Sequence, residues 1–363
     1  AAAHYPFCAA TFDAVNKTFT HTWGDAYCST DLAAYDFMFS TVYETPFVVD
    51  ETTTVLPIAL TFRPLMARIG MKLALGANET PKYVTFTTDD NVLPTAGTVN
   101  ADGTFSASAL TNSLTVETDR KEFTVGLLPV GVASKMSVHV TTTDGMTYSD
   151  KSFQLAGLKR NTHYTMNVPC RTKRFMLTVP DGVNSKYGTG TYGDNGFFQV
   201  EPQYDPESIF DGWHFLRSEI KSDKDAADGD VLKNRNRIQL QAVSLGTNRA
   251  QNGAFVTPPI QCDGTKTVTV SFTAATNKLT VGSVQYRIGV TNNGADISED
   301  FLRSFDNIQS SLEGECPWKH SGSVSRTHTF TVTNGQRIMM KVYSSGGGTP
   351  CHLELADFTY TVE

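Results

Sequence analysis

The chain has 363 residues, enough for two or three domains of ordinary size, each with its own core. Its formal net charge is −7 and charged residues make up 18%, which excludes general nucleic-acid binding, because that requires basic surface to neutralise phosphates. No run of about 18 or more apolar residues occurs, so no transmembrane segment is expected in this chain. The first residue is alanine, and we expect an export signal or a longer N-terminus to precede it. Plentiful threonine, glycine and aromatics suit β-sheet, whose strands favour β-branched and aromatic side chains.

In chain order, residues 1 to 50 are aromatic-rich and irregular, and Ala34–Ser40 alternates well enough for a strand. The stretch Leu60–Leu75 dominates the first half. Leu65, Ala67, Ile69, Met71, Leu73 and Leu75 fall on one side of a two-residue period, with Met66, Arg68, Gly70, Lys72 and Ala74 on the other. Before Pro64 the apolar set is Ile58, Leu60 and Phe62, which is the opposite phase. Proline cannot donate to a central ladder, so this switch predicts a bulge or corner at Pro64. Strand-like runs follow at Lys82–Thr88, Lys121–Leu128, Lys135–Thr141 and His163–Val168, with turn dipeptides at Asp102-Gly103 and Asp144-Gly145. Regularly spaced short strands imply a sandwich.

Arg171-Thr-Lys-Arg174 marks a change of composition and is expected to be a solvated connection or strand start. It places a boundary between domains 1–170 and 171–363. The second half is again all-β. Val268, Val270, Phe272 and Ala274 alternate, as do Val284, Tyr286, Ile288 and Val290, then Phe330 with Val332, then Ile338, Met340 and Val342. The chain closes on Leu353, Leu355, Phe358, Tyr360 and Val362. Short helices are expected at Pro206–Phe210 and Ile297–Ile308. The predicted architecture is all-β, two sandwiches in series.

No string that carries chemistry survives its context. Gly188-Thr-Gly-Thr-Tyr-Gly193 matches a dinucleotide-binding string, but turn and strand follow it where a helix is needed. Asp223-Lys-Asp-Ala-Ala-Asp-Gly-Asp230 departs from an EF-hand, since its glycine comes one place late and Asn234 stands at the twelfth position. Asp223, Asp225 and Asp228 remain weak candidates for a structural calcium, and no other cofactor is expected. A nucleophile elbow, an H-E-x-x-H pair and a P-loop are all missing, so no catalytic residue is assigned and the chain is expected to be non-enzymatic. His139 and His163, in strand runs, are expected to be structural.

Six cysteines occur at 8, 28, 170, 262, 316 and 351, without C-x-x-C spacing. Cys8–Cys28 and Cys316–Cys351 would each close a modest loop in an oxidising compartment; buried thiols are the alternative. Aromatic and polar side chains cluster in loops of the second half. Trp213, His214 and Arg217, with Trp318 and His320, form a candidate shallow ligand site, against the alternative that both tryptophans plug the sandwich.

Leu60-Thr-Phe-Arg-Pro-Leu-Met-Ala-Arg-Ile-Gly-Met-Lys-Leu73 resembles the hallmark strand of the fimbrillin-like surface proteins of Bacteroides-type bacteria. Asp36-Phe-Met38 upstream and the closing Leu158–Val168 agree with it, so the likeness covers residues 30 to 168. Gly253–Ile260, Lys266–Ala275 and the ending Leu353–Tyr360 are similar to the jelly-roll, galactose-binding-like domains found on surface proteins of the same bacteria. The resemblance implies an exported lipoprotein at the outer-membrane surface or in a fimbrium, acting as fimbrial subunit, accessory or tip component, or adhesin. Its partners would be other fimbrial subunits added by β-strand, or a host or bacterial surface glycan or protein. The alternative it implies is a glycan-binding surface protein that uses the C-terminal jelly-roll.

Overall fold

The structure, a computed structural model, describes residues 4–5, 10–24, 27–32, 37–40, 61–100, 102–179, 197–199, 212–223, 231–242, 252–277, 283–292, 296–317, 322–345 and 351–363. The fold is all-β. It divides into two compact units: residues 1–75, 80–142 and 148–171 form the first, and residues 76–79, 143–147 and 172–363 form the second.

Four groups of paired strands build the first unit. The strands β1 (His4–Tyr5), β4 (Met38–Ser40) and β5 (Phe62–Pro64) pair antiparallel, as do β2 (Thr11–Asp13), β3 (Thr18–Thr22), β8 (Leu93–Val99) and β9 (Phe105–Thr111). A third group has β6 (Ala67–Leu73) between β11 (Glu122–Leu127), antiparallel to it, and β14 (His163–Val168), parallel to it. The fourth runs β10 (Ser113–Glu117), β7 (Pro81–Thr88), β12 (Ser134–Thr142), β13 (Thr147–Leu155). The core between them is a continuous apolar cluster that includes Phe37, Ile69, Met71, Val84, Phe86, Val125, Val138 and Val140. Each such side chain contributes roughly 1.5–3 kcal/mol on leaving water.

β6 alternates as its sequence predicts, with Ala67, Ile69, Met71 and Leu73 buried and Arg68 and Lys72 exposed. The Pro64 phase switch is a corner: β5 ends at Pro64 in one sheet, and β6 begins at Ala67 in another. Leu65 and Met66 between them are both fully buried, and the Leu65 N–H donates to the Phe37 carbonyl at 2.8 Å. This corrects two expectations. Met66 is inside, because the turning backbone aims consecutive side chains at the core, whereas Phe62 is 41% exposed. Gly126 lies against the buried Met66 sulfur: a Cβ there would stand 2.8 Å from Sδ, and the thioether would have to shift.

The second unit is a two-sheet antiparallel sandwich. One sheet has the order β16 (Phe197–Gln199), β17 (His214–Leu216), β20 (Ala254–Val256), β25 (Ile338–Ser345), β22 (Ser283–Val290), β23 (Gln309–Pro317). In the other, β26 (Cys351–Val362) pairs along one side with β21 (Thr265–Asn277), which pairs in turn with β24 (Val324–Thr333). Along its other side β26 pairs with β15 (Lys173–Met176) and with β19 (Arg237–Ala242), which is followed by β18 (Ser218–Lys221). Every inward position predicted on β21, β22, β24, β25 and β26 is buried.

The slip from Leu353 and Leu355 to Phe358, Tyr360 and Val362 is a β-bulge. The ladder passes from Thr273↔Ala356 to Ser271↔Thr359, and Asp357 takes the left-handed conformation at φ 50°. The predicted helix at Ile297–Ile308 is shorter, Glu299–Arg303, capped by the Ser298 hydroxyl accepting from the Phe301 N–H at 3.2 Å. Pro206–Phe210 lies outside the described residues. Of the two readings of Arg171–Arg174, the strand start holds: β15 opens at Lys173, whose side chain is 1% exposed and so not solvated.

Cys28 and Cys316 stand as buried thiols, and the partners expected for them, Cys8 and the Cys351 side chain, lie outside the described residues. Burial in the first core pushes the Cys28 thiol up to about 12. Cys316 sits opposite Val284 in one sheet of the sandwich, whereas Cys351 sits opposite Ala242 in the other.

Candidate functional site

β14 gives the first unit its most distinctive surface. Among the described residues its backbone pairs with β6 alone. Two rungs fix its phase: Arg68 N–H donates to the Thr162 carbonyl at 2.9 Å, and Ala74 N–H to the Val168 carbonyl at 2.9 Å. In a parallel ladder the even-numbered residues therefore face β6, and the N–H and C=O of His163, Thr165 and Asn167 face outward. The side chains alternate too, with His163, Thr165 and Asn167 exposed and Tyr164 and Met166 half-buried.

Beside this edge lies a groove of about 520 Å³. Its floor comes from Ile69 of β6 and Met136 of β12, and its walls from Phe153 of β13 and Tyr164 and Met166 of β14. Leu158 closes it where the chain runs from β13 into β14, held by reciprocal backbone hydrogen bonds with Val130 at 2.9 and 3.1 Å. Lys151 is the charged side chain in the lining. Phe153, Tyr164 and Met166 pack against the first core while staying partly open. An outward row of backbone donors and acceptors beside an apolar trough is what an added β-strand needs: main-chain hydrogen bonds supply affinity, and alternate side chains fill the trough.

The second-half ligand candidates are placed otherwise. Trp213 is 1% exposed and sits in the core, with its ring centroid 5.0 Å from Phe175, 5.5 Å from Phe255 and 5.8 Å from Phe215. It therefore plugs the sandwich and offers no face to a ligand. His214 and Arg217 are buried beside it in sequence, and burial, with Arg337 next, pushes His214 down to about 4. Trp318 and His320 lie outside the described residues, as do Asp225 and Asp228. Asp223 is exposed and its N–H donates to the Asn236 side chain at 3.0 Å. Among the described residues, no group of three or more His, Cys, Asp and Glu is placed to hold a metal ion. The glycine string 188–193 is likewise outside them.

His139 is a satisfied strand histidine, with Nε2 3.0 Å from the Thr87 hydroxyl and Nδ1 2.8 Å from that of Ser149; burial lowers its pKa. The sequence does not mark the groove residues as a site. Tyr164 and Met166 alternate visibly with polar neighbours, but nothing in one strand's sequence says whether a second partner strand lies beside it.

Residues 2–181 match the fimbrillin-like family model. No curated protein matches the chain. Among solved structures, the chain is similar to two putative cell adhesion proteins. That of Bacteroides uniformis is 17% identical, with 46% of this chain and 66% of that chain covered, at a TM-score of 0.33. That of Bacteroides ovatus is 21% identical, with 46% and 60% covered, at 0.30. The chain thus spans less than two thirds of either. It is also similar to the C-terminal CBM6 of LamC, a laminarinase of Zobellia galactanivorans, at 9% identity, 41% and 90% coverage and 0.24. No helix among the described residues is long and apolar enough to cross a membrane. The likeness to the fimbrillin-like family thus lies in residues 2–181 of this chain.

Proposed function

We propose that the protein is a non-enzymatic cell-surface component, a fimbrial subunit, accessory or tip component or adhesin, that is exported to the outer-membrane surface and joined to neighbouring subunits by β-strand addition. The observation that carries this reading is the outward edge of β14 beside its apolar groove. A strand from a neighbouring subunit, laid along His163–Val168, pairs with the outward groups of His163, Thr165 and Asn167. Its alternate apolar side chains then fill the trough over Ile69 and Met136. The match of residues 2–181 to the fimbrillin-like family model supports the same reading.

Thr165→Pro tests it, because proline removes the outward N–H and leaves the even-numbered ladder to β6 intact. Sedimentation of the chain at rising concentration, before and after limited proteolysis of its N-terminal segment, is expected to show polymers for the wild type. It is expected to show none for Thr165→Pro at an unchanged melting temperature. Polymers of equal size in both chains would rule out this edge as the assembly site.

A further inference from the structure

An amine and two carboxyl groups meet in the interior of the second unit. Lys173 opens β15, and its side chain is 1% exposed; those of Asp144 and Glu79, in segments 143–147 and 76–79 of the same unit, are 1% and 7% exposed. Lys173 Nζ lies 2.6 Å from Asp144 Oδ2 and 2.9 Å from Glu79 Oε1, and it also donates to the Gln261 carbonyl. The Asp144 carboxyl is clamped through both oxygens, Oδ2 by the Gln261 N–H at 2.9 Å and Oδ1 by the Met146 N–H at 3.2 Å. Glu79 is fixed through its other oxygen, Oε2, which accepts from the Gly76 N–H at 2.9 Å. Tyr360 is fully buried nearby, and burial, then the Asp144 carboxylate, push its phenol well above the usual range.

We propose that this cluster is a covalent modification site, at which Lys173 Nζ and Asp144 Cγ condense to an intramolecular isopeptide amide with Glu79 as the proton carrier. A proton passing along the Nζ–Oδ2 hydrogen bond gives amine and acid. The Nζ lone pair adds to Cγ, forming the N–C bond and a tetrahedral carbon whose oxyanion, Oδ1, is held by the Met146 N–H. Glu79 Oε1 takes one proton from Nζ and delivers it to the Oδ2 hydroxyl; the C–Oδ2 bond breaks and one water leaves as the carbonyl re-forms. Glu79 ends as it began, and no oxidant, reductant or cofactor is consumed. Three features favour the step. The reacting groups are already in hydrogen-bond contact, which removes most of the entropic cost of meeting. The backbone donors are fixed before charge develops. Condensation also replaces two of the three buried charges by one neutral amide, whose N–H is left to donate to the Glu79 carboxylate.

Intact mass measured on the denatured full chain tests the proposal directly. The wild type is expected to weigh one water less than its sequence. A tryptic digest is expected to contain a branched peptide joining Met136–Lys151, which carries Asp144, to Thr172–Arg174, in which Lys173 resists cleavage. Lys173→Ala and Asp144→Ala are expected to carry the full mass, and Glu79→Gln to lose most of the link. A wild-type chain at full mass overturns the proposal, as does a one-water deficit without the branched peptide; both readouts hold whether or not a variant folds. A Glu79→Gln chain linked to the wild-type extent overturns the role given to Glu79.

Discussion

Lys341 on β25 is fully buried without a carboxylate contact among the described residues. Its Nζ donates to the carbonyls of Leu302 at 2.9 Å and Asn252 at 3.3 Å and lies 5.1 Å from the Phe305 ring centroid. Burial, then Arg303 and Arg217, push the ammonium down to about 7. An unfolded lysine holds its proton to about 10.5. Between these values the unfolded chain binds more protons, so stability rises with pH above 7, and that contribution is lost as pH falls through 7. We expect the melting temperature of the second unit to climb from pH 7 to pH 9, and Lys341→Met to flatten that climb. Equal slopes in both chains would contradict it. At the bulge, Asp357 combines a left-handed backbone with an ion pair to Arg235. The backbone conformation alone costs a β-branched residue about 1–2 kcal/mol, whereas asparagine tolerates it. Denaturant midpoints are therefore expected to fall further for Asp357→Val than for Asp357→Asn, both of which lose the charge; equal midpoints or the reverse order would show that the left-handed conformation does not set the cost.

At the scale of the element, periodicity carried most of the fold. Alternation in β6, β21 and β22 marks which side chains are inside, and both breaks in phase, at Pro64 and at Asp357, are real turns of the backbone. What a period cannot tell is how a break is made. A two-residue count continued through the corner puts Met66 on the wet face, whereas the corner buries Leu65 and Met66 together. The faces of β6 should differ sharply in cost. Ile69→Ala leaves a cavity in the core and is expected to cost about 2–5 kcal/mol. Lys72→Ala removes an exposed ion pair with Glu122 and is expected to leave the midpoint unchanged, since exposed pairs are screened by solvent. Chemical denaturation of the two variants checks the contrast. The β14 groove was legible only in half: its alternating Tyr164 and Met166 are in the sequence, but the outward edge exists only once β6 is known to be its neighbour.

At the scale of the whole molecule, the chain order of the two units is misleading. Asp144-Gly145 reads locally as a turn, and it is one, with Gly145 at φ 78°. Nothing near it in sequence announces that the aspartate binds Lys173, or that Glu79 binds the same amine, because both carboxyls come from segments flanked on each side by first-unit residues. A cut at the composition change near residue 171 therefore separates Lys173 from both carboxyls and leaves its Nζ with the Gln261 carbonyl. Leaving a buried charge without a partner costs about 3–5 kcal/mol, because that charge stays out of water. In a domain of this size each kcal/mol moves the melting temperature by roughly 2–4 °C. The fragment 172–363 is accordingly expected to melt on the order of 10 °C below the second-unit transition of the full chain. Lys173→Met keeps the bulk and removes the charge, and it should recover most of that loss within the fragment while destabilising the full chain. If the fragment and its Lys173→Met form melt together, the cluster does not hold the second unit, and the boundary at 171 is a clean one.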